Sequence, residues 1–203
     1  MKTKFIVWRH WKKIPAFVLV LSGVSYYTQY LRSRSYQIYY QSLASSIGGQ
    51  PLPPSYAPRS LSVIIDVESG NRRARKVYAK YVSPILLAAG CKLRVLEVKS
   101  SERLEETAAT LDVNDEDGIV VVGDDDSLRD FITGWMTRRD FSSLRSLPVG
   151  AIPTGGHDAI IESLNIKSAA NRAAALCQAA YIIAKGHDNH CYYYCCCYCY
   201  YYY

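Results

Sequence analysis

Four short apolar runs lie between residues 61 and 186, and each of them ends in polar or small residues. Their lengths and apolar content are typical of strands in a protein core. The runs are Leu61–Val67, Lys92–Val98, Gly118–Val122 and Leu147–Pro153.

Helical periodicity follows these runs, because apolar residues recur at spacings of three and four. Pro84 is expected to kink or restart the first of these helices, and Gly90 is expected to end it. The alternation of strands and helices predicts an α/β domain over residues 61–186, a three-layer sandwich with a largely parallel sheet. The predicted helices are Arg73–Ala89, Glu102–Leu111, Leu128–Thr137, Ala159–Leu164 and Ser168–Lys185.

Three polar turns follow strands of this predicted sheet: Glu68–Arg72, Gly123–Ser127 and Thr154–Asp158. Because parallel strands end at the same edge, we expect these turns to lie together. A strand that leads through a polar turn into a helix N-terminus is a common way to build a phosphate site, and a carboxylate there can hold Mg²⁺. An acidic turn that only caps the following helix is the alternative for Gly123–Ser127.

The middle turn, Gly123-Asp124-Asp125-Asp126-Ser127-Leu128, resembles a motif of one kinase family. The motif is the strand–Gly-Gly-Asp-Gly-Thr-Leu–helix element of the diacylglycerol, sphingosine and acylglycerol kinases. Asp124 and Asp126 stand where the family has glycine. A carboxylate a few Å from a triphosphate repels it by roughly 1–4 kcal/mol per unit-charge pair.

The other two turns resemble further loops of the same family. Ser69 and Gly70 match its Asn-Pro-x-Ser-Gly loop, although Asp66 and Val67 replace the Asn-Pro pair. Ile152-Pro153-x-Gly155 matches its third loop, in which the family has Thr or Glu at the position of Gly156. The resemblance covers the whole α/β span and is strongest to the mitochondrial acylglycerol kinases.

The resemblance implies transfer of the ATP γ-phosphoryl group, with Mg²⁺, to the hydroxyl of a mono- or diacylglycerol. Asp125 would be the catalytic or Mg²⁺-binding acid. Gly123, Asp124, Asp126 and Ser127 would hold phosphate. The nucleotide cleft would be lined by Ser69, Gly70, Asn71, Gly155 and Gly156.

Other polar groups offer competing sites. His157 could act as an acid or base, or be an ordinary surface histidine. The acidic turn Asp112–Asp117 could bind a metal, or be solvated. Cys177 is expected to pack as a small apolar residue.

Charge is unevenly distributed along the chain. Residues 1–65 contain eight Lys or Arg and no Asp or Glu, whereas the remainder holds sixteen basic against eighteen acidic residues. The body is therefore not expected to bind nucleic acid.

Residues 1–34 form a basic segment followed by an uncharged stretch, Ile14–Leu31, which would span roughly 27 Å as a helix. A membrane anchor is predicted, with a secretory signal or a mitochondrial presequence as alternatives.

The cluster His10–Lys13 before this stretch resembles the amino-terminal anchor of the mitochondrial acylglycerol kinases. That resemblance implies attachment to the mitochondrial inner membrane, with the body in the intermembrane space. Residues 35–60, which contain Pro51, Pro53 and Pro54, are predicted to be a linker.

Residues 187–203 are two histidines, an aspartate and an asparagine followed only by Cys and Tyr. His187, His190, Cys191 and Cys195 could be read as zinc ligands. The preferred hypothesis is a low-complexity tail that arises from a reading frame that ends or shifts near Lys185.

Three alternatives remain open at this point. The resemblance to the acylglycerol kinases implies a second role, as a subunit of the mitochondrial carrier translocase. A chain with impaired kinase activity could therefore serve as a membrane-anchored scaffold. In this family a following β-rich domain supplies much of the lipid pocket, and a truncated product or gene-model fragment is the second alternative. A relative of the NAD kinases or phosphofructokinases would share the Gly-Gly-Asp-Gly element.

Overall fold

The computed structural model describes residues 13–49, 60–99, 101–144, 146–155 and 172–186. Within these ranges a long helix precedes an alternation of strands and helices. In chain order the elements are α1 (Lys13–Gly48), β1 (Ser60–Asp66), α2 (Ser69–Arg72), α3 (Ala74–Val77), a π-helical turn (Tyr78–Val82), α4 (Ser83–Ala88), β2 (Lys92–Val98), α5 (Ser101–Thr110), β3 (Gly118–Gly123), α6 (Asp125–Met136), α7 (Phe141–Leu144), β4 (Val149–Pro153) and α8 (Arg172–Lys185).

The four strands form one parallel sheet in the order β2-β1-β3-β4. Val63 at the centre of β1 is in register with Val95 of β2 and Val120 of β3. All six residues of β3 are buried, as are six of the seven in β1, because helices cover both faces of a parallel sheet. The predicted α/β fold with a parallel sheet is confirmed.

The two faces of the sheet belong to separate hydrophobic clusters. Val63, Ile65 and Val120 pack with the helices α1, α3, α4 and α8. Ile64 and Val121, which point the other way, pack with α5 and α6. Alternate residues of one strand thus serve opposite layers.

Pro84 lies in the first turn of α4, directly after the π-helical turn. The predicted restart of the helix at this proline is confirmed. Proline has no N–H to donate and its ring clashes with the preceding turn, so the backbone widens before it. Cys177 is fully buried, and burial raises the pKa of its thiol to about 11, which agrees with its expected role as a small apolar residue.

Residues 35–48 differ from the predicted linker, because α1 continues through them. Ala44 is fully buried in the cluster with α4 and α8, and Tyr40 packs against Tyr181 with ring centroids 5.8 Å apart. Serine hydroxyls in this stretch bond to their own helix, as Ser45 Oγ does to the Gln41 carbonyl at 2.7 Å. The serine-rich composition suggested a linker, but tertiary packing stabilises helix here.

The anchor predicted for residues 14–31 has helical backbone, but none of the described helices combines the length and the apolar character needed to cross a membrane. Ser22, Gly23, Ser25 and Thr28 lower the mean hydropathy of the stretch. Several of its large apolar side chains are nevertheless exposed, including Phe17 and Leu19 at 64% and 71%.

The packing of α1 on the body predicts a position-specific effect of added volume. Ala44→Leu should lower the free energy of unfolding by about 1–3 kcal/mol, because overpacking forces side chains off their preferred rotamers. Ser45→Leu adds a similar volume at an exposed position of the same helix and should change it by less than about 0.5 kcal/mol. Urea unfolding followed by circular dichroism measures both, and equal effects would contradict this docking of α1.

Candidate functional site

The turns that follow β1, β3 and β4 meet at one edge of the sheet. The Ser69 and Thr154 hydroxyls share a hydrogen bond of 2.6 Å, and the Thr154 N–H donates to the Gly123 carbonyl at 2.9 Å. The expected convergence of the three turns is therefore present in the structure.

The turn after β1 depends on glycine. Within the short segment α2, Gly70, Asn71 and Arg72 have left-handed backbone, with φ of 59°, 61° and 62°, so this segment is a turn rather than a regular right-handed helix. A Cβ on Gly70 would lie 2.2 Å from the Thr154 carbonyl oxygen, so no larger residue fits here without moving the third turn.

Asp66 ends β1 and joins two of the turns. Its side chain is buried, with 7% of the residue exposed. Oδ1 accepts the Glu68 N–H at 3.0 Å, and Oδ2 accepts the Ser127 hydroxyl at 2.6 Å. A buried carboxylate needs such donors, because burying it without them costs several kcal/mol.

The acidic sequence after β3 is the first turn of α6 rather than a loop. Asp124 is the N-cap, and Asp125 to Ser127 already belong to the helix. Asp124 Oδ1 accepts the Ser127 N–H at 3.0 Å, and Ser127 Oγ accepts the Asp124 N–H at 3.3 Å. This capping box is the physical reason why the helix begins three residues before the predicted Leu128.

The Ser127 hydroxyl lies between two carboxylates. Its oxygen is 2.6 Å from Asp66 Oδ2 and 2.7 Å from Asp124 Oδ1. A hydroxyl has one hydrogen, so the two carboxylates share it in a three-centre arrangement. Ser127 is 2% exposed, and its hydroxyl is directed at these carboxylates rather than at solvent.

Asp124 is held in its ionised form. Burial raises its pKa, but hydrogen bonds from the Ser127 side chain and backbone, and from the Ser69 hydroxyl, together outweigh burial and lower it. The cap is also favoured by the positive end of the α6 dipole.

Asp125 and Asp126 differ in their surroundings. Asp126 is exposed and pairs with Arg129 at 2.9 Å, whereas Asp125 is half-buried in the first turn of α6. The described residues contain no cluster of three or more potential metal ligands. Mg²⁺ commonly binds one or two carboxylates together with substrate phosphates, and Asp125 is the carboxylate of this turn that could take such a part.

Arg172 is a site residue that the sequence did not indicate. Its guanidinium donates to the Thr154 carbonyl. No local pattern in the sequence marks it, because its contact with Thr154 joins residues that are distant in the chain. Arg72 and Arg73 are both exposed, and Arg73 lines the same cleft as Arg172.

The remaining predicted candidates have different outcomes. Gly155 follows Thr154 in the third turn, whereas Gly156, His157 and Asp158 lie outside the described residues, as does the tail 187–203. The acidic turn Asp112–Asp117 is structural: Asp117 Oδ2 accepts the Ser60 N–H at 2.9 Å and Glu116 Oε2 accepts the Ser60 hydroxyl at 3.0 Å. These bonds fix the opposite end of β1.

Comparison with known proteins gives one family. The sequence model of the diacylglycerol kinase catalytic domain matches residues 60–187. The chain is 32% identical over 107 residues to sphingosine kinase 1 of Arabidopsis thaliana, which is 53% of this chain and 22% of that protein. It is 26% identical over 182 residues to the mitochondrial acylglycerol kinase of Homo sapiens, which is 87% of this chain and 42% of that protein. The matches thus span less than half the length of these relatives.

Among solved structures, a putative diacylglycerol kinase from Bacillus anthracis str. Sterne is similar to this chain, with a TM-score of 0.49 and 20% identity. The match covers 64% of this chain and 40% of that one.

Gly123 lies so close to Ser127 that a single methyl group added at Gly123 should strongly affect the stability of the fold. A Cβ on Gly123 would lie 2.4 Å from Ser127 Cβ, so Gly123→Ala should destabilise the fold by about 1–3 kcal/mol. Gly23→Ala, where a Cβ meets no atom within 4 Å, should cause no loss. Urea unfolding compares the two, and an unchanged midpoint for Gly123→Ala would contradict the packing of the capping box.

The lowered pKa of Asp124 predicts a pH-dependent contribution to stability. The folded-state pKa lies below the ordinary value of 3.8, so the contribution is fully present above about pH 4 and is lost as the pH falls through the folded-state pKa. Asp124→Asn should therefore be less stable than the wild type at pH 7. The difference should shrink below about pH 4. Unfolding free energies measured from pH 7 to acid test this, and a difference that stayed constant or widened in acid would contradict it.

Proposed function

The chain belongs to the diacylglycerol kinase catalytic domain family, and on that premise we propose that it supplies the nucleotide-binding part of an ATP-dependent lipid kinase. The proposed reaction moves the γ-phosphoryl group of ATP to the hydroxyl of a mono- or diacylglycerol. Mitochondrial acylglycerol kinase is among the relatives that match over most of this chain, which supports an acylglycerol as the acceptor.

One observation carries this proposal: the three turns meet through direct hydrogen bonds. Ser69, Thr154 and Gly123 are joined within 3 Å at the carboxyl ends of the strands, where open α/β sheets bind their ligands. Phosphoryl transfer requires mostly positioning and charge stabilisation, and a rigid set of turns provides positioning.

The chain's own residues would then have distinct parts. Asp125, half-buried in the first turn of α6, is the proposed acid for Mg²⁺ or for activating the acceptor hydroxyl. Mg²⁺, when bound, neutralises triphosphate charge and bridges it to a carboxylate. Ser127 and Asp124 hold the turn in shape through their mutual bonds, and Ser127 therefore acts by positioning rather than by contact with phosphate.

The nucleotide would lie along the two other turns. Ser69, Gly70 and Asn71 form the tight turn after β1, and Gly155 follows Thr154 in the third turn. Gly156, proposed to line the same cleft, lies outside the described residues. Arg172 beside Thr154 offers positive charge next to the third turn.

We further propose a location at the mitochondrial inner membrane, with the body in the intermembrane space. Support comes from the mitochondrial acylglycerol kinases among its relatives and from the basic, acid-free amino-terminal residues. A membrane location would bring the site to its lipid acceptor.

A non-catalytic role is the second candidate, favoured by the three consecutive carboxylates at the start of α6. These charges oppose a triphosphate, so the chain would serve as a membrane-associated partner, for example of the mitochondrial carrier translocase. That role needs the fold and α1 but no nucleotide.

Titration calorimetry with Mg-ATP separates the two candidates. The full chain should bind Mg-ATP saturably, and Asp125→Ala should weaken binding about tenfold or more, as expected for loss of a charge-assisted metal contact. Asp115→Ala removes an exposed carboxylate from the distant acidic turn and should leave binding unchanged. Absence of saturable binding by the wild type would reject the kinase site and favour the partner role.

A further inference from the structure

A second cleft lies away from the carboxylates of α6, between α1, the π-helical turn and α8. Its volume is about 620 Å³, and residues of all three elements line it. Two of its lining residues lie next to the candidate nucleotide turns: Arg73 directly follows the first turn, and Arg172 donates to the Thr154 carbonyl.

Four cations line this cleft: Arg32 from α1, Arg73 and Lys80 from the helical segments after β1, and Arg172 from α8. Among the described residues, no acidic side chain lines it. Among the ion pairs that the described residues form, none includes any of these four side chains. Like charges gathered from three elements without a carboxylate raise the local positive potential, which favours a multiply charged anion.

Aromatic hydroxyls accompany the cations. Tyr26, Tyr30 and Tyr81 line the same cleft, and a phenol can donate to a phosphate oxygen. The Lys80 ammonium lies 4.9 Å from the centre of the Tyr81 ring, a cation–π contact that restricts where the ammonium points. The lining therefore combines fixed charge with hydrogen-bond donors.

The face of α1 that lines the cleft is also exposed and apolar towards the helix N-terminus. Leu19 lies two turns before Tyr26 on the same face and is 71% exposed, and the neighbouring Val18 is 56% exposed. An anion with an apolar tail would satisfy both surfaces at once, whereas an inorganic anion or a nucleotide would use only the cleft.

We propose that this cleft binds the phosphate headgroup of an anionic glycerophospholipid, with the acyl chains lying against the exposed apolar residues of α1. The binding is separate from the proposed phosphoryl transfer. It holds α1 at a membrane surface by a specific headgroup contact added to general charge attraction.

Vesicle flotation with the full chain tests this site. The protein should bind phosphatidylcholine vesicles that contain phosphatidic acid more tightly than vesicles of phosphatidylcholine alone. Arg32→Gln combined with Lys80→Gln should weaken binding to the acidic vesicles about tenfold or more. Both residues are exposed, so the fold should persist. The charge-preserving pair Arg32→Lys and Lys80→Arg should stay within about threefold of the wild type.

The matched control removes the same charge outside the cleft. Arg34 lies on α1 and Lys99 follows β2; both are exposed and neither lines the cleft. Arg34→Gln combined with Lys99→Gln should weaken binding by about threefold or less. An equal loss in the two double variants would show that net charge alone attracts the protein, and would overturn the proposal.

A soluble competitor distinguishes the sources of phosphate. Inorganic phosphate and Mg-ATP, added separately to the flotation assay, should leave vesicle binding unchanged at matched ionic strength. Displacement by either of them, abolished in Arg32→Gln/Lys80→Gln, would assign the cleft to a free phosphate or a nucleotide and overturn the lipid assignment.

Discussion

The shared hydrogen of Ser127 is the constraint on which the site depends. A parallel sheet brings the ends of β1 and β3 side by side, and each end carries a carboxylate: Asp66 is buried and Asp124 caps α6. Two carboxylates this close repel each other unless a donor lies between them. The Ser127 hydroxyl, within 2.7 Å of both, supplies that donor and so couples the start of α6 to the end of β1.

This coupling divides the rim of the sheet by charge. The acids are held on the α6 side, while Arg172 and Arg73 lie on the side of α1 and α8. In the proposed nucleotide site, a phosphate-bearing ligand would therefore be attracted from the basic side and would meet the carboxylates last, where a divalent cation would separate the two charges. Arg73 and Arg172 lie next to both proposed sites, so their charge would favour an anion in either one.

Much of the frame could be predicted from sequence because it follows from local pattern. β2 occupies the predicted Lys92–Val98, and the turn positions follow from where apolar runs end. The early start of α6 was missed because its capping box uses serine at the third helical position in place of Glu or Gln. Arg172 and the helical residues 35–48 depend on contacts between distant parts of the chain, which no local pattern contains.

The chemistry of α1 explains how one helix can suit both the body and a lipid surface. Its hydroxyl groups bond to their own backbone: Ser22 to the Leu19 carbonyl at 2.9 Å and Thr28 to the Ser25 carbonyl at 2.8 Å. Because these hydroxyls are hydrogen-bonded to their own helix, the surface of α1 is less polar than its number of serines and threonines suggests. Residues 14–31 carry no charge, and Arg32 is the first cation after them. In the proposed lipid site an acidic headgroup would meet the helix at Arg32. The cleft extends along α1 from Tyr26 to Ser33, so the position of Arg32 would set how the body lies on a membrane.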